Sequence, residues 1–139
     1  MQLTKHTDLS LRVLMYLSIN GESLATIKDI SASYKVSRNH MMKVVNRLVT
    51  LGYIKSTQGR GGGISLAMPA SDIGVGDIVR AMEPSLDLID CAGDGCPLTP
   101  ACLLKGALNE AMKAFVKSLD NYSVADLVRN SPQLIKLIG

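Results

Sequence analysis

The chain has 139 residues, 47% of them hydrophobic, with 15 Lys and Arg against 12 Asp and Glu; this suffices for one compact unit with an appendage and excludes a large enzyme. No run approaches the roughly 18 apolar residues of a membrane span, and no secretion signal opens the sequence, so a cytoplasmic protein is expected. The net charge of +3 is unevenly spread: residues 28 to 60 carry Lys28, Lys35, Arg38, Lys43, Arg47, Lys55 and Arg60 against Asp29 alone, while residues 77 to 102 hold Asp77, Glu83, Asp87, Asp90 and Asp94 against Arg80 alone. A positive field concentrated on one stretch is what a nucleic-acid partner requires.

In chain order, Leu9, Val13, Leu14 and Leu17 repeat at helical spacing after Thr7 and Asp8, which suit a helix start. A second helix is expected after Thr26, whose hydroxyl can cap it while the Asp29 carboxylate reaches back to the freed amide, with Ile27 and Ile30 facing inward. A turn around Tyr34 to Val36 leads to Ser37, another cap, and to a helix with Met41, Val44, Val45, Leu48 and Leu51 on one apolar face, ended by Gly52. A short helix, a tight turn and a longer basic helix make a helix-turn-helix, in which the start of the second helix meets base edges in the major groove.

Tyr53-Ile54-Lys55 and Ile64-Ser65-Leu66 read as two short strands around Gln58-Gly59-Arg60-Gly61-Gly62-Gly63, a glycine-rich wing with Arg60 placed to enter a minor groove. A phosphate-binding loop would need Gly-Lys-Ser/Thr after the glycines, and none follows. The expected fold is therefore mainly α with a small β-wing. Its candidate DNA-facing residues are Thr26, Lys28, Ser37, Arg38, Asn39, His40, Lys43, Arg60, Gly61 and Gly62, with Arg38 or Asn39 reading bases and Lys43 meeting phosphate.

Cys91, Cys96 and Cys102 stand as C-x4-C-x5-C in a Gly-, Asp- and Pro-rich loop and are the only cysteines. An odd, clustered set argues for a metal site or reactive thiols over a disulfide framework. Structural zinc prefers C-x2-C pairs and a fourth ligand, and both histidines, His6 and His40, are distant in sequence; grouped soft thiolates suit iron–sulfur ligation, and the pattern alone leaves the two metals open. Thr99 and Pro100 then suit the start of a long helix with Leu104, Leu108, Met112, Phe115 and Leu119 in one stripe and Ala101, Ala107, Ala111 and Ala114 allowing close approach. A small core cannot cover so long a helix, so a homodimer is expected, in keeping with the two half-sites that a helix-turn-helix protein usually reads. Residues 1–80 would form the winged DNA-binding region and residues 81–139 the cluster-binding loop and dimerisation helix.

These features together resemble the winged-helix iron–sulfur transcription regulators over essentially the whole chain. The resemblance is carried by Met1-Gln2-Leu3-Thr4 with Thr7-Asp8, the Val-Ser-Arg-Asn-His-Met block at 36 to 41, Gly61-Gly62-Gly63-Ile64, Gly76-Asp77-Ile78-Val79 and the cysteine loop. The stretch from Leu119 to Leu127 looks like the nitric-oxide-sensing members. Members of another branch place a histidine a few residues after the last cysteine, where this chain has Leu103, Leu104, Lys105, Gly106 and Ala107. The likeness implies an iron–sulfur cluster, 4Fe–4S favoured over 2Fe–2S, bound by Cys91, Cys96 and Cys102 with an oxygen ligand from the first helix of the other subunit, where Asp8 stands. It also implies a homodimeric repressor of nitric oxide detoxification genes that nitric oxide releases from double-stranded DNA. A regulator holding iron–sulfur or zinc and sensing cluster or iron status or redox stress is the alternative. A small electron carrier would need no basic wing, and an enzyme is not expected because no nucleophile–base pair or paired carboxylates mark a pocket.

Overall fold

The computed structural model describes residues 1–93 and 95–138; Asp94, one of the five acids counted above, and Gly139 lie outside the described residues. The first helix, α1 (Lys5–Asn20), begins a turn before Thr7 and Asp8, because Thr4 caps it by accepting a 3.3 Å bond from the Thr7 amide. The Glu83 carboxylate completes that start, accepting from the Thr4 amide at 2.7 Å and its hydroxyl at 3.1 Å. Leu9, Val13, Leu14 and Leu17 are buried as their spacing requires.

Thr26 caps α2 (Ile27–Tyr34) by accepting from the Asp29 amide at 3.1 Å. The expected return bond from Asp29 is not made among the described residues; both side chains lie in water, which competes for the same groups. Ile30 is buried, and Ile27 packs half-buried against the core. Lys35, with φ of 54°, takes the left-handed conformation that ends α2 and turns the chain into α3 (Arg38–Thr50). Ser37 caps α3 through a 3.2 Å bond from the His40 amide, and Met41, Val44, Val45 and Leu48 are buried.

The wing is an antiparallel pair, β1 (Ile54–Thr57) and β2 (Gly63–Leu66), with Ile54 opposite Leu66 and Ser56 opposite Ile64. Ile64 exchanges backbone bonds of 3.0 and 2.8 Å with Ala25, which ties the wing to the segment before α2. A fourth helix, α4 (Val75–Met82), buries Val75, Ile78, Val79 and Met82 and packs against α1. The division expected after residue 80 falls within α4.

The long helix α5 (Leu103–Leu119) begins later than Thr99 and Pro100 suggest. Those residues form a single 3₁₀ turn, Thr99–Ala101, in which the Thr99 hydroxyl donates to the Cys96 carbonyl at 2.8 Å instead of capping the helix. Two short helices follow, α6 (Val124–Leu127), opened by a reciprocal Ser123–Asp126 capping box, and α7 (Ser131–Ile138). One core joins α1, α2, α3, the wing, α4 and Val124. No helix among the described residues is long and apolar enough to cross a membrane.

Candidate functional site

The core side of α3 sets its outer side. With Met41, Val44, Val45 and Leu48 buried, Arg38, Asn39 and Lys43 are exposed, as are Thr26 and Lys28 at the start of α2 and Ser37 before α3. The hydroxyls of Thr26 and Ser37 are engaged in capping. His40 is half-buried. His6 of α1 lies near it: burial, then the charges of His40 and Arg47, lower the His6 pKa and favour its neutral imidazole. Met42 and Asn46, absent from the sequence-derived set, share the exposed side of α3. Helical spacing sets Met41 on the apolar face with Val44, Val45 and Leu48, and the structure buries it and leaves the adjacent Met42 exposed.

Arg60 and Gly61 are exposed at the wing tip and Gly62 is half-buried. Gly61 has φ of 75°, and a Cβ on Gly62 would run into the carbonyl oxygen of Thr57. The tip closes on a 3.0 Å bond from the Gly62 amide to the Gly59 carbonyl. Glycine is thus required at 61 for the backbone conformation and at 62 for space.

Cys91, Cys96 and Cys102 are free thiols, each half-buried, on the segment leading into α5. Asp90 shapes the loop after Cys91 by accepting from the amides of Ala92 at 3.1 Å and Gly93 at 2.8 Å. Cys96 is held by its carbonyl through Thr99, and Cys102 occupies the N-cap position of α5. Three soft sulfur donors on one segment fit iron–sulfur ligation by chemistry. Among the described residues, however, no three or more His, Cys, Asp or Glu side chains are gathered closely enough to hold a metal ion. Asp8, in the first turn of α1, accepts from Arg12 Nε at 2.7 Å and Lys5 Nζ at 3.2 Å. Partial burial raises its pKa, but the hydrogen bonds and charges of Arg12 and Lys5 outweigh this and hold it below the ordinary aspartate value, so the group is anionic, as a ligand must be.

The apolar stripe of α5 is poorly covered by its own chain. Leu108, Met112, Phe115 and Leu119 are half-buried, Leu104 is 59% and Leu103 88% exposed, and Val116 is the buried residue of the helix. Val116 lies on the side facing α4, where Arg80 grips Asp120 with two 2.7 Å bonds. That pair was not anticipated, since its members are separated by 40 positions.

The fold is shared with known regulators. CymR of Staphylococcus aureus, in its oxidized form, is 25% identical over 93% of this chain and 97% of its own, with a TM-score of 0.75. IscR of T. potens is 23% identical over 94% and 88%, with a TM-score of 0.76, and CymR of B. subtilis, a global cysteine regulator, is 23% identical over 91% and 95%, with a TM-score of 0.72. A sequence model of the Rrf2 family, described as iron-dependent transcriptional regulators, matches residues 3–130. An exposed basic helix and glycine wing on a fold shared with regulators, together with that match, assign the chain to the Rrf2 family of DNA-binding transcriptional regulators.

Proposed function

We propose that the chain is a cytoplasmic, homodimeric repressor whose grip on its operator is set by an iron–sulfur cluster and released by nitric oxide, with nitric oxide detoxification genes as its targets. The observation that carries this reading is the set of three free thiols, Cys91, Cys96 and Cys102, on one segment of a chain with no other cysteine. Resemblance to the nitric-oxide-sensing repressor NsrR over residues 119 to 127, and the absence of a histidine after Cys102, favour nitric oxide over cluster or iron status as the signal. Cys91, Cys96 and Cys102 would hold the cluster, 4Fe–4S in preference to 2Fe–2S, with Asp8 of the partner subunit as fourth ligand. A bound cluster would supply iron that reacts with nitric oxide. A carboxylate is a harder and more labile ligand than a thiolate and leaves that iron easier to reach.

On this reading residues 1–80 hold the DNA and residues 81–139 hold the cluster and the second subunit. The chain's own part is mechanical. Asp8 lies on α1, which packs against α3, and it must exchange Lys5 and Arg12 for the loop of the other subunit. A tie between that loop and α1 fixes the separation of the two α3 helices. Moving occupancy from 99:1 to 1:99 takes roughly 5.5 kcal/mol of differential stabilisation. Anaerobic purification tests the reading: the protein should absorb in the visible, contain iron and sulfide in cluster ratio, and lose operator binding on exposure to nitric oxide. Colourless, iron-free protein that binds its operator at full affinity would overturn it.

A further inference from the structure

The outward side of α3 carries Arg38, Asn39, Met42, Lys43 and Asn46. Four of these are polar or charged. Met42, a large apolar residue, is 45% exposed. It lies four positions after Arg38, three after Asn39 and four before Asn46, so helical spacing sets these side chains beside one another on one surface. Single exposed apolar residues are common and need no explanation by themselves. The position of Met42 is what matters: it is in the first half of the helix whose N-terminal residues meet base edges, between two residues able to hydrogen-bond to them. The major groove offers an apolar feature to such a side chain, the 5-methyl group of thymine. Methionine suits that contact, because its unbranched, polarizable chain adapts to an irregular surface.

We propose that Met42 is a specificity-determining residue that reads a thymine in each half-site through its 5-methyl group, while Arg38 or Asn39 hydrogen-bonds to neighbouring base edges. The proposal rests on α3 being the helix that enters the major groove. Val49 is also exposed, at 36%, but stands at the far end of α3, beyond the turns expected to meet bases; it is the natural control.

The test uses full-length protein isolated anaerobically and duplexes that it selects from a random-sequence pool. Each thymine of a selected half-site is replaced by uracil, which removes the methyl group and leaves every hydrogen-bonding edge in place. At one position per half-site the replacement should weaken wild-type binding by about fourfold, the worth of one buried methyl group. Met42→Ala should bind the thymine duplex correspondingly more weakly and be indifferent to uracil at that position. Met42→Leu should keep the sensitivity, and Val49→Ala should behave as wild type. An unchanged thermal unfolding transition in Met42→Ala would tie the loss to the DNA contact. Equal wild-type affinity for every uracil duplex, or a full uracil penalty retained by Met42→Ala, would overturn the proposal. Failure of the protein to enrich any sequence would instead remove the DNA-reading role of α3, and this proposal with it.

Discussion

Glu83 closes the start of α1 from 79 residues away, accepting from the Thr4 amide at 2.7 Å and its hydroxyl at 3.1 Å. Burial raises its pKa, but hydrogen bonds from Thr7 and Thr4 outweigh this and hold it below the ordinary glutamate value. A carboxyl depressed in the folded state contributes stability that is fully present above its unfolded pKa and is lost as pH falls through the folded one. Glu83→Gln should therefore cost about 1 kcal/mol at neutral pH, with the gap to wild type closing in acid, as thermal unfolding at the two pH values would show. Asp8 separates two roles. Asp8→Ala should leave the metal-free chain within about 1 kcal/mol of wild type, because its partners Lys5 and Arg12 are solvent-exposed. The same variant should still assemble a cluster on three thiolates, but lose its visible absorbance faster in air and bind DNA more weakly. An absorbance decay identical to wild type would sink the ligand assignment. The capping role of Thr26 was legible because its partner is three residues away; Glu83 was not, because nothing near Thr4 in sequence identifies which acid will reach it.

Among the elements, α3 and the wing are the proposed carriers of the DNA contacts, and they should fail in different ways. Replacing Arg38 or Asn39 by Ala should cost about 1 to 3 kcal/mol of operator affinity for whichever reads a base and relax sequence preference, whereas Lys43→Ala should weaken all sequences alike and reduce the salt slope by about one. A double Arg38→Ala, Asn39→Ala variant that binds as tightly and selectively as wild type would refute the assignment. Gly62→Ala would drive a Cβ against the Thr57 carbonyl. The wing must then rearrange, and gel-shift affinity should fall while the melting temperature, set by the core, moves little. Both elements were legible from caps, apolar spacing and glycines. The helix α4 was not recognised, although Val75, Ile78, Val79 and Met82 follow helical spacing, because the stretch is short and contains Gly76. Thr99 and Pro100 misplaced the start of α5, because they form a separate 3₁₀ turn and the backbone then extends at Cys102, with φ of −77° and ψ of 120°, before the helix begins.

For the whole molecule, the half-buried stripe Leu108, Met112, Phe115 and Leu119 and the exposed Leu104 leave an apolar strip that a second copy of the chain would cover across a two-fold axis. Phe115→Asp should therefore give monomers with weakened operator binding, since an unpaired charge would enter an apolar contact. Sedimentation decides this, and a wild-type monomer at concentrations that saturate the operator would count against the dimer. The sequence by itself determined the helix-turn-helix, the wing, the apolar side of each recognised helix and the cysteine segment, because capping, periodicity and turn chemistry depend on neighbours within about four residues. Only the tertiary structure decided that Glu83 meets Thr4, that Arg80 meets Asp120 and that Ala25 meets Ile64. Many acids in the chain could have served Thr4 or Arg80 equally well by residue type. The packing of α4 against α1 and of α5 against α4 brings these particular ones within reach.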